Sequence, residues 1–283
     1  MVDMSHTNNQ IVLLGICSDE NSSHLKGTAK APPLIRKALH NGSANLTAEN
    51  GISLADTAIF TDIGDFEIAA GKESFMAIEE KISPILQQGN LPLTLGGDHA
   101  ITYPIMRAIA KHHPSVTILH FDAHPDLYEE LDGNRLSHAC PFARIMEEGL
   151  ASRLIQVGIR TLNLHQKQQA EKFSVEVHEM STFDIAQFAL NLSGPVYISF
   201  DIDALDPAFA PGVSHFEPGG LSVRDVLTII QKINVPIIGA DIVEYNPVND
   251  INNMTAMVAA KLVKEIGAMM MATNVTEQQS MEI

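Results

Sequence analysis

The runs VTILHF at 116–121 and VYISF at 196–200 are apolar at nearly every position. A strand with one wet face would alternate, so these suit strands covered on both faces, as in a parallel sheet. Similar runs lie at Ile11–Ile16, Ala58–Ile63, Leu91–Leu95, Leu154–Gly158, Val175–His178 and Pro236–Ile242. Between them fall helical segments at Pro32–His40, Lys72–Gln88, Tyr103–Lys111, Pro141–Glu148, Phe183–Leu192, Val223–Lys232 and Met254–Met271. Strands alternating with helices predict right-handed crossovers and a three-layer α/β domain with eight parallel strands. Nothing repeats, and no low-complexity linker divides the 283 residues, so a single domain over 1–283 is expected. The polar stretch 41–56 reads as a surface loop, and the tail after Ala272 as frayed.

The ends of the central strands carry the chemistry. After Leu91–Leu95 comes Gly96-Gly97-Asp98-His99, and after the 116–121 run comes Asp122-Ala123-His124-Pro125-Asp126. Asp201-Ile202-Asp203 follows the 196–200 run, and Val243 and Glu244 follow the last strand. Ligands of open parallel sheets bind beyond the carboxyl ends of the strands. Extended chain points residues i, i+2 and i+4 the same way, so Asp122, His124 and Asp126 can share a face, as can Asp201 and Asp203. Four crowded carboxylates repel one another and resist burial unless cations neutralise them. Mixed Asp and His ligands suit Mn²⁺, Zn²⁺, Fe²⁺ or Co²⁺ better than Ca²⁺. With His99 there are six candidate ligands, too many for one tetrahedral site and enough for two bridged ions. Either acidic cluster alone would read equally well as a cap or a surface patch. Asp98 reads as a turn former or an orienting group, and Gly96 and Gly97 as a tight turn.

Composition narrows the partners. A net charge of −16 argues against non-specific binding to nucleic acid or anionic membranes, and favours small cationic substrates. The first ten residues hold no Lys or Arg and no apolar run, and two cysteines, Cys17 and Cys140, make no disulfide framework. A reducing, cytoplasmic setting is the simplest expectation. Cys140 lies two positions past His138, but reads as a small packing residue without a reason for a lowered pKa.

GGDHA at 96–100, FDAHPD at 121–126, SFDIDALDPAFAPG at 199–212 and GADIVEYNP at 239–247 resemble the ureohydrolases, the arginase and agmatinase family. SHACPFARIMEEG at 137–149, GVSHFEPGGLSVRDVL at 212–227 and MTAMVAAKLVKE at 254–265 resemble the plant-type arginases and related bacterial agmatinases. The resemblance covers at least 94–266 and is much weaker before about residue 90. It implies a three-layer α/β/α fold with an eight-stranded parallel sheet, and assembly as a homotrimer or homohexamer. It also implies two Mn²⁺ ions per subunit. His99, Asp122, Asp126 and Asp201 would hold one; Asp122, His124, Asp201 and Asp203 would hold the other. Glu244 matches the acid that pairs with the substrate guanidinium, and His138 the histidine proposed as proton shuttle. Asp126 could also aim the attacking hydroxide. Together these imply cleavage of a guanidino C–N bond to release urea.

The substrate tail is less constrained. Asn163 stands where animal-type arginases carry an Asp that meets the α-amino group, and Asn134 or Arg135 could meet a carboxylate. Glu129, Glu130 and Asp132 would disfavour one if they faced inward. His215 could line the tail pocket. L-Arginine is the preferred substrate and agmatine the alternative, with guanidinobutyrate, guanidine and formiminoglutamate behind. A metal-binding subunit without activity is the reading from another class; the full ligand set with Glu244 and His138 argues against it.

Overall fold

The structure is a computed structural model that describes residues 10–68, 71 and 73–281, with side chains through 274. Most of the first ten residues, read above for a leader, lie outside the described residues, as does Lys72. Eight strands form one sheet: β1 (Ile11–Cys17), β2 (Phe60–Glu67), β3 (Leu91–Leu95), β4 (Thr117–Phe121), β5 (Arg153–Ile159), β6 (Glu176–Glu179), β7 (Val196–Asp201) and β8 (Ile237–Val243). Every pairing is parallel, in the order β2-β1-β3-β8-β7-β4-β5-β6. β7 and β8 thus insert between β3 and β4, and bring four late-chain acids beside the early ones.

Among the described residues seven helices cover the sheet: α1 (Ala31–Leu39), α2 (Ser74–Gln87), α3 (Thr102–Ile109), α4 (Pro141–Glu147), α5 (Leu164–Phe173), α6 (Val223–Ile230) and α7 (Met254–Met281). Successive strand residues point to opposite faces. Accordingly Ile11 and Leu13 pack with Ile35, Val226 and Leu262, under α1, α6 and α7. Val12 and Leu14 pack with Ile78, Ile105, Phe142 and Ala170, under α2, α3, α4 and α5. These two apolar layers define the α/β/α sandwich, and explain why VTILHF and VYISF show no wet face.

Three elements depart from the sequence expectation. The helix expected at Phe183–Leu192 does not form. Phe183, Ile185, Phe188, Leu190 and Leu192 instead lay half-buried side chains on the core from irregular chain. Helix α5 was not anticipated, because LHQKQQAEKF buries only Gln166, Gln169 and Ala170 and so shows little apolar period. Helix α7 runs on past Ala272 to Met281, since no Gly or Pro stops it.

Candidate metal centre

Strands β3, β4, β7 and β8 deliver their C-terminal residues to one buried cluster. His99 opens a short 3₁₀ turn whose cap is Asp98, with Asp98 Oδ1 accepting from Ala100 N at 3.2 Å. A side chain at Gly97 would have its Cβ 1.6 Å from the Ser18 carbonyl oxygen, so only glycine lets the β3 end pass that close. The convergence of the acids is not the strand alternation expected above. Asp126 leaves extended geometry altogether at φ 49°, and Asp203 sits in a 3₁₀ turn. Each leading Asp folds its own turn back: Asp122 Oδ1 accepts from His124 N at 2.6 Å, and Asp201 Oδ1 from Asp203 N at 2.8 Å.

His99 Nδ1 faces Asp122 Oδ2 at 3.2 Å, Asp126 Oδ2 at 3.1 Å and Asp201 Oδ2 at 3.2 Å. It makes a directed hydrogen bond to none of them. On the other side of the ring, Nε2 lies 3.0 Å from Ser199 Oγ, which donates to Asp241 Oδ1 at 2.8 Å. Asp241 also accepts from Tyr197 and Thr102. With its proton given to Asp241, Ser199 accepts from Nε2, leaving Nδ1 as the free position of a neutral ring. His99 Nδ1 thus stands as a nitrogen donor within 3.2 Å of three carboxylate oxygens, a donor set of the kind that suits a divalent transition metal. His124 Nδ1 makes a second grouping, 3.3 Å from Asp122 Oδ1 and 3.1 Å from Asp203 Oδ2. The Asp122, His124 and Asp203 donors all lie within 4.8 Å of one another.

The electrostatics of the cluster are strained without a cation. Burial, then Asp203 and Asp122, push Asp201 well above the usual carboxylate range. Burial and Asp122 raise Asp126 to about 6. Burial would lower His99, yet Asp122, Asp126 and Asp201 drive it well above the ordinary imidazole value. A divalent ion relieves all three effects at once.

Beside the cluster stand His138 and Glu244. Glu244 Oε1 accepts from His99 N at 2.9 Å and lies 2.8 Å from His138 Nδ1, while His138 Nε2 lies 2.8 Å from Ser23 Oγ. Burial opposes charge on His138, but Glu244 and Asp126 hold it up at about 9. Glu244, like Asp126, has positive φ, here 62°, a conformation that side-chain residues adopt at a cost of about 1–3 kcal/mol. A cavity of about 200 Å³ opens above these groups, with Asp126, Asp201, Asp203, His124, His138 and Glu244 in its floor.

An arginase-family model matches residues 9–268. This chain belongs to the arginase family. Arginase 1, mitochondrial, of Arabidopsis thaliana is 48% identical over 273 residues, covering 90% of this chain and 80% of the relative. A solved arginase from Medicago truncatula superposes with a TM-score of 0.88 at 44% identity, covering 93% of this chain and 88% of that one. An agmatinase of Bacillus anthracis stands further off, at 34% over 272 residues, 93% of this chain and 92% of the relative. The chain is therefore a ureohydrolase, and its Asp/His cluster is of metal-binding kind. The cytoplasmic expectation is corrected by the plant relatives: Arginase 1 of Arabidopsis thaliana and of Oryza sativa are named mitochondrial, and Arginase 2 of Arabidopsis thaliana chloroplastic/mitochondrial. That expectation rested on a leader not seen in ten residues, which carries no information about address.

In this arginase-family site the outer wall differs from expectation. His215 does line the cavity, its ring 5.5 Å from that of His138 and 5.6 Å from that of His124. Asn134 and Asn163 are exposed and absent from the lining. Asn134 closes its own turn, with Oδ1 accepting from Leu136 N at 2.9 Å. Asn163 is the N-cap of α5, accepting from Gln166 N at 2.9 Å, and reaches the wall only through Tyr128, whose hydroxyl its Nδ2 meets at 2.5 Å. Arg135 turns away to Glu147 at 2.9 Å. Tyr128, Leu131 and Thr161 line the wall instead. Cys140 is buried, its thiol pushed up to about 12, in keeping with packing rather than attack.

Several supporting residues carry no role in the sequence reading. Ser199 and Asp241 lie inside two of the resemblance motifs without a function attached to them, and His120 and Gln156 are single polar letters among apolar ones; all four are fully buried in strands. Arg160 binds the Asp203 carbonyl at 2.7 Å and the Glu217 carbonyl at 2.7 Å, bracing the turn that carries Asp203. Ser23 and Asn21 come from the first ninety residues, where the resemblance is weak; Asn21 O accepts from His138 N at 3.1 Å.

Proposed function

We propose that the chain hydrolyses L-arginine to ornithine and urea, with two Mn²⁺ ions held by His99, Asp122, His124, Asp126, Asp201 and Asp203. Asp122 and Asp201 would be shared. The reading is carried by His99 Nδ1, ringed by three carboxylate oxygens at 3.1–3.2 Å without a hydrogen bond. When bound, such ions supply Lewis-acid activation of water near neutral pH. The chain's own groups do the rest. Glu244 binds the guanidinium by charge-assisted hydrogen bonds and fixes its carbon over the floor. Asp126 accepts a hydrogen bond from the attacking water and aims it. His138, held at about 9, is charged at neutral pH and gives its proton to the departing amine.

Agmatine is the second reading, and one observation favours it: no Lys or Arg is among the described residues lining the cavity, so an α-carboxylate would depend on neutral donors such as Tyr128 and Thr161. The similarity to plant arginases favours arginine. A homotrimer or homohexamer is proposed alongside, in keeping with exposed Phe216, Val248, Ile251 and Met254; light scattering on the purified chain measures it. The deciding assay is urea release from arginine, agmatine and guanidinobutyrate after Mn²⁺ loading, with and without EDTA. Arginine should be fastest and EDTA should abolish the rate. Urea from none of the three would sink the reading, and a faster rate on agmatine would move it to the second.

A further inference from the structure

Beneath the cluster the sheet carries a row of polar side chains in register across five strands. Thr94 lies opposite Asp241, Asp241 opposite Ser199, Ser199 opposite His120, and His120 opposite Gln156. All five are fully buried. Such a row is costly unless its hydrogen bonds are made. Its His120 end settles its proton positions without ambiguity. The Pro125 carbonyl can only accept, so the Gln156 atom 2.6 Å from it is the amide nitrogen. The same nitrogen lies 3.0 Å from His120 Nδ1, to which it gives its other hydrogen. A neutral imidazole that accepts at Nδ1 carries its proton on Nε2. That Nε2 lies 2.8 Å from Asp122 Oδ2.

We propose that His120, locked in one tautomer by Gln156, is a positioning residue that donates to Asp122 and fixes how that carboxylate faces the cations. The inference rests on the two-cation reading above. His120 is close enough to His99 and Asp122 to be counted with them as a metal-binding trio. Both its nitrogens are already engaged, one by Gln156 and one by Asp122, which makes it a donor rather than a ligand. Gln156 secures the same turn twice, since Pro125 sits between His124 and Asp126. Groups behind metal ligands commonly change metal affinity or activity about 10–100-fold when removed.

The test compares His120→Leu and His120→Gln, each stripped of metal and titrated with Mn²⁺ by calorimetry, with the thermal midpoint of the apoprotein as a check on folding. Gln can place its amide nitrogen near the position of Nε2 and its oxygen toward Gln156. His120→Leu should weaken Mn²⁺ binding about 10–100-fold with the ion count still two, and His120→Gln should restore wild-type affinity. A purely structural histidine would not be rescued in affinity by Gln. Wild-type affinity in His120→Leu, or loss of an ion in His120→Gln, overturns the proposal while leaving the two-cation reading standing. Wild-type protein that takes up no Mn²⁺ overturns both. Should His120→Leu fail to fold, Gln156→Met serves in its place: it keeps the volume, removes both donations, and should weaken Mn²⁺ binding, whereas unchanged affinity overturns the proposal.

Discussion

The floor of the cavity is made of strand ends and its outer wall of loops, and the two hold their side chains by different means. On the floor, Asp122 meets His120, His124 N and His99, and Asp241 alone collects Ser199, Thr102 and Tyr197. These groups are buried and sit in or just beyond strands whose register is fixed by apolar packing on both faces. On the wall, Tyr128 and Leu131 are half-buried in a loop that Asn134 closes by its own backbone. The floor is over-determined; the wall is held by a few local bonds. Catalytic chemistry that must be placed within fractions of an ångström belongs on the former, and substrate choice can vary on the latter.

If that contrast holds, the largest effect should come from the floor. Asp201→Asn removes half the charge shared between the two proposed cation positions. Metal content by mass spectrometry should fall below two ions per chain, and urea release should fall to the EDTA-treated level. Two retained ions with near-normal turnover would break the ligand assignment. One layer down, Ser199→Ala leaves His99 Nε2–H without its acceptor and frees the ring to turn. Mn²⁺ affinity should fall about 10–100-fold. The wall counterpart is Thr161→Val, which should raise KM for arginine while leaving metal content and the thermal midpoint unchanged. A Thr161→Val variant that lost metal would erase the distinction between floor and wall.

The same contrast explains what could be read from the chain itself. All eight strands were legible within a few residues; in β1, β3, β4, β5, β7 and β8 burial on both faces leaves apolar runs that polar loops interrupt, while the edge strands β2 and β6 are partly exposed and shorter in apolar run. The six candidate ligands were legible because acids and imidazoles directly after such runs are conspicuous. Their geometry was not: Asp126 reaches the cluster through a left-handed turn, which no alternation pattern encodes. His120 and Gln156 were hidden as polar letters inside apolar strands, where only the neighbouring strands reveal their partners. Apolar spacing at Phe183–Leu192 predicts a helix that does not form, and the lack of such spacing at Leu164–Phe173 gives no sign of α5. In fact Asn163 supplies the start signal of α5, while Phe183 and Phe188 pack against each other from irregular chain, ring centroids 5.1 Å apart. The wall suffered most, since loop side chains have no period.

Asn163 offers the smallest and sharpest test of the boundary between the two regions. Its position suggested contact with the α-amino group of the substrate, but its Oδ1 is committed to Gln166 N and its Nδ2 to Tyr128. If it is a cap, Asn163→Ala should cost about 1 kcal/mol. In a chain of this size that lowers the thermal midpoint by about 2 °C. The turnover number should be unchanged, and KM should move only as far as a loosened Tyr128 permits. Asn163→Asp keeps the cap oxygen and adds favourable charge at a helix N-terminus, so it should recover the midpoint. It would also place a carboxylate where an α-amino group could find it. A rise in preference for arginine over agmatine in Asn163→Asp, with the midpoint restored, would show that this edge of the wall lies within reach of the substrate tail. An unchanged preference would confine Asn163 to starting α5, and leave Tyr128, Thr161 and His215 as the side chains that meet the tail.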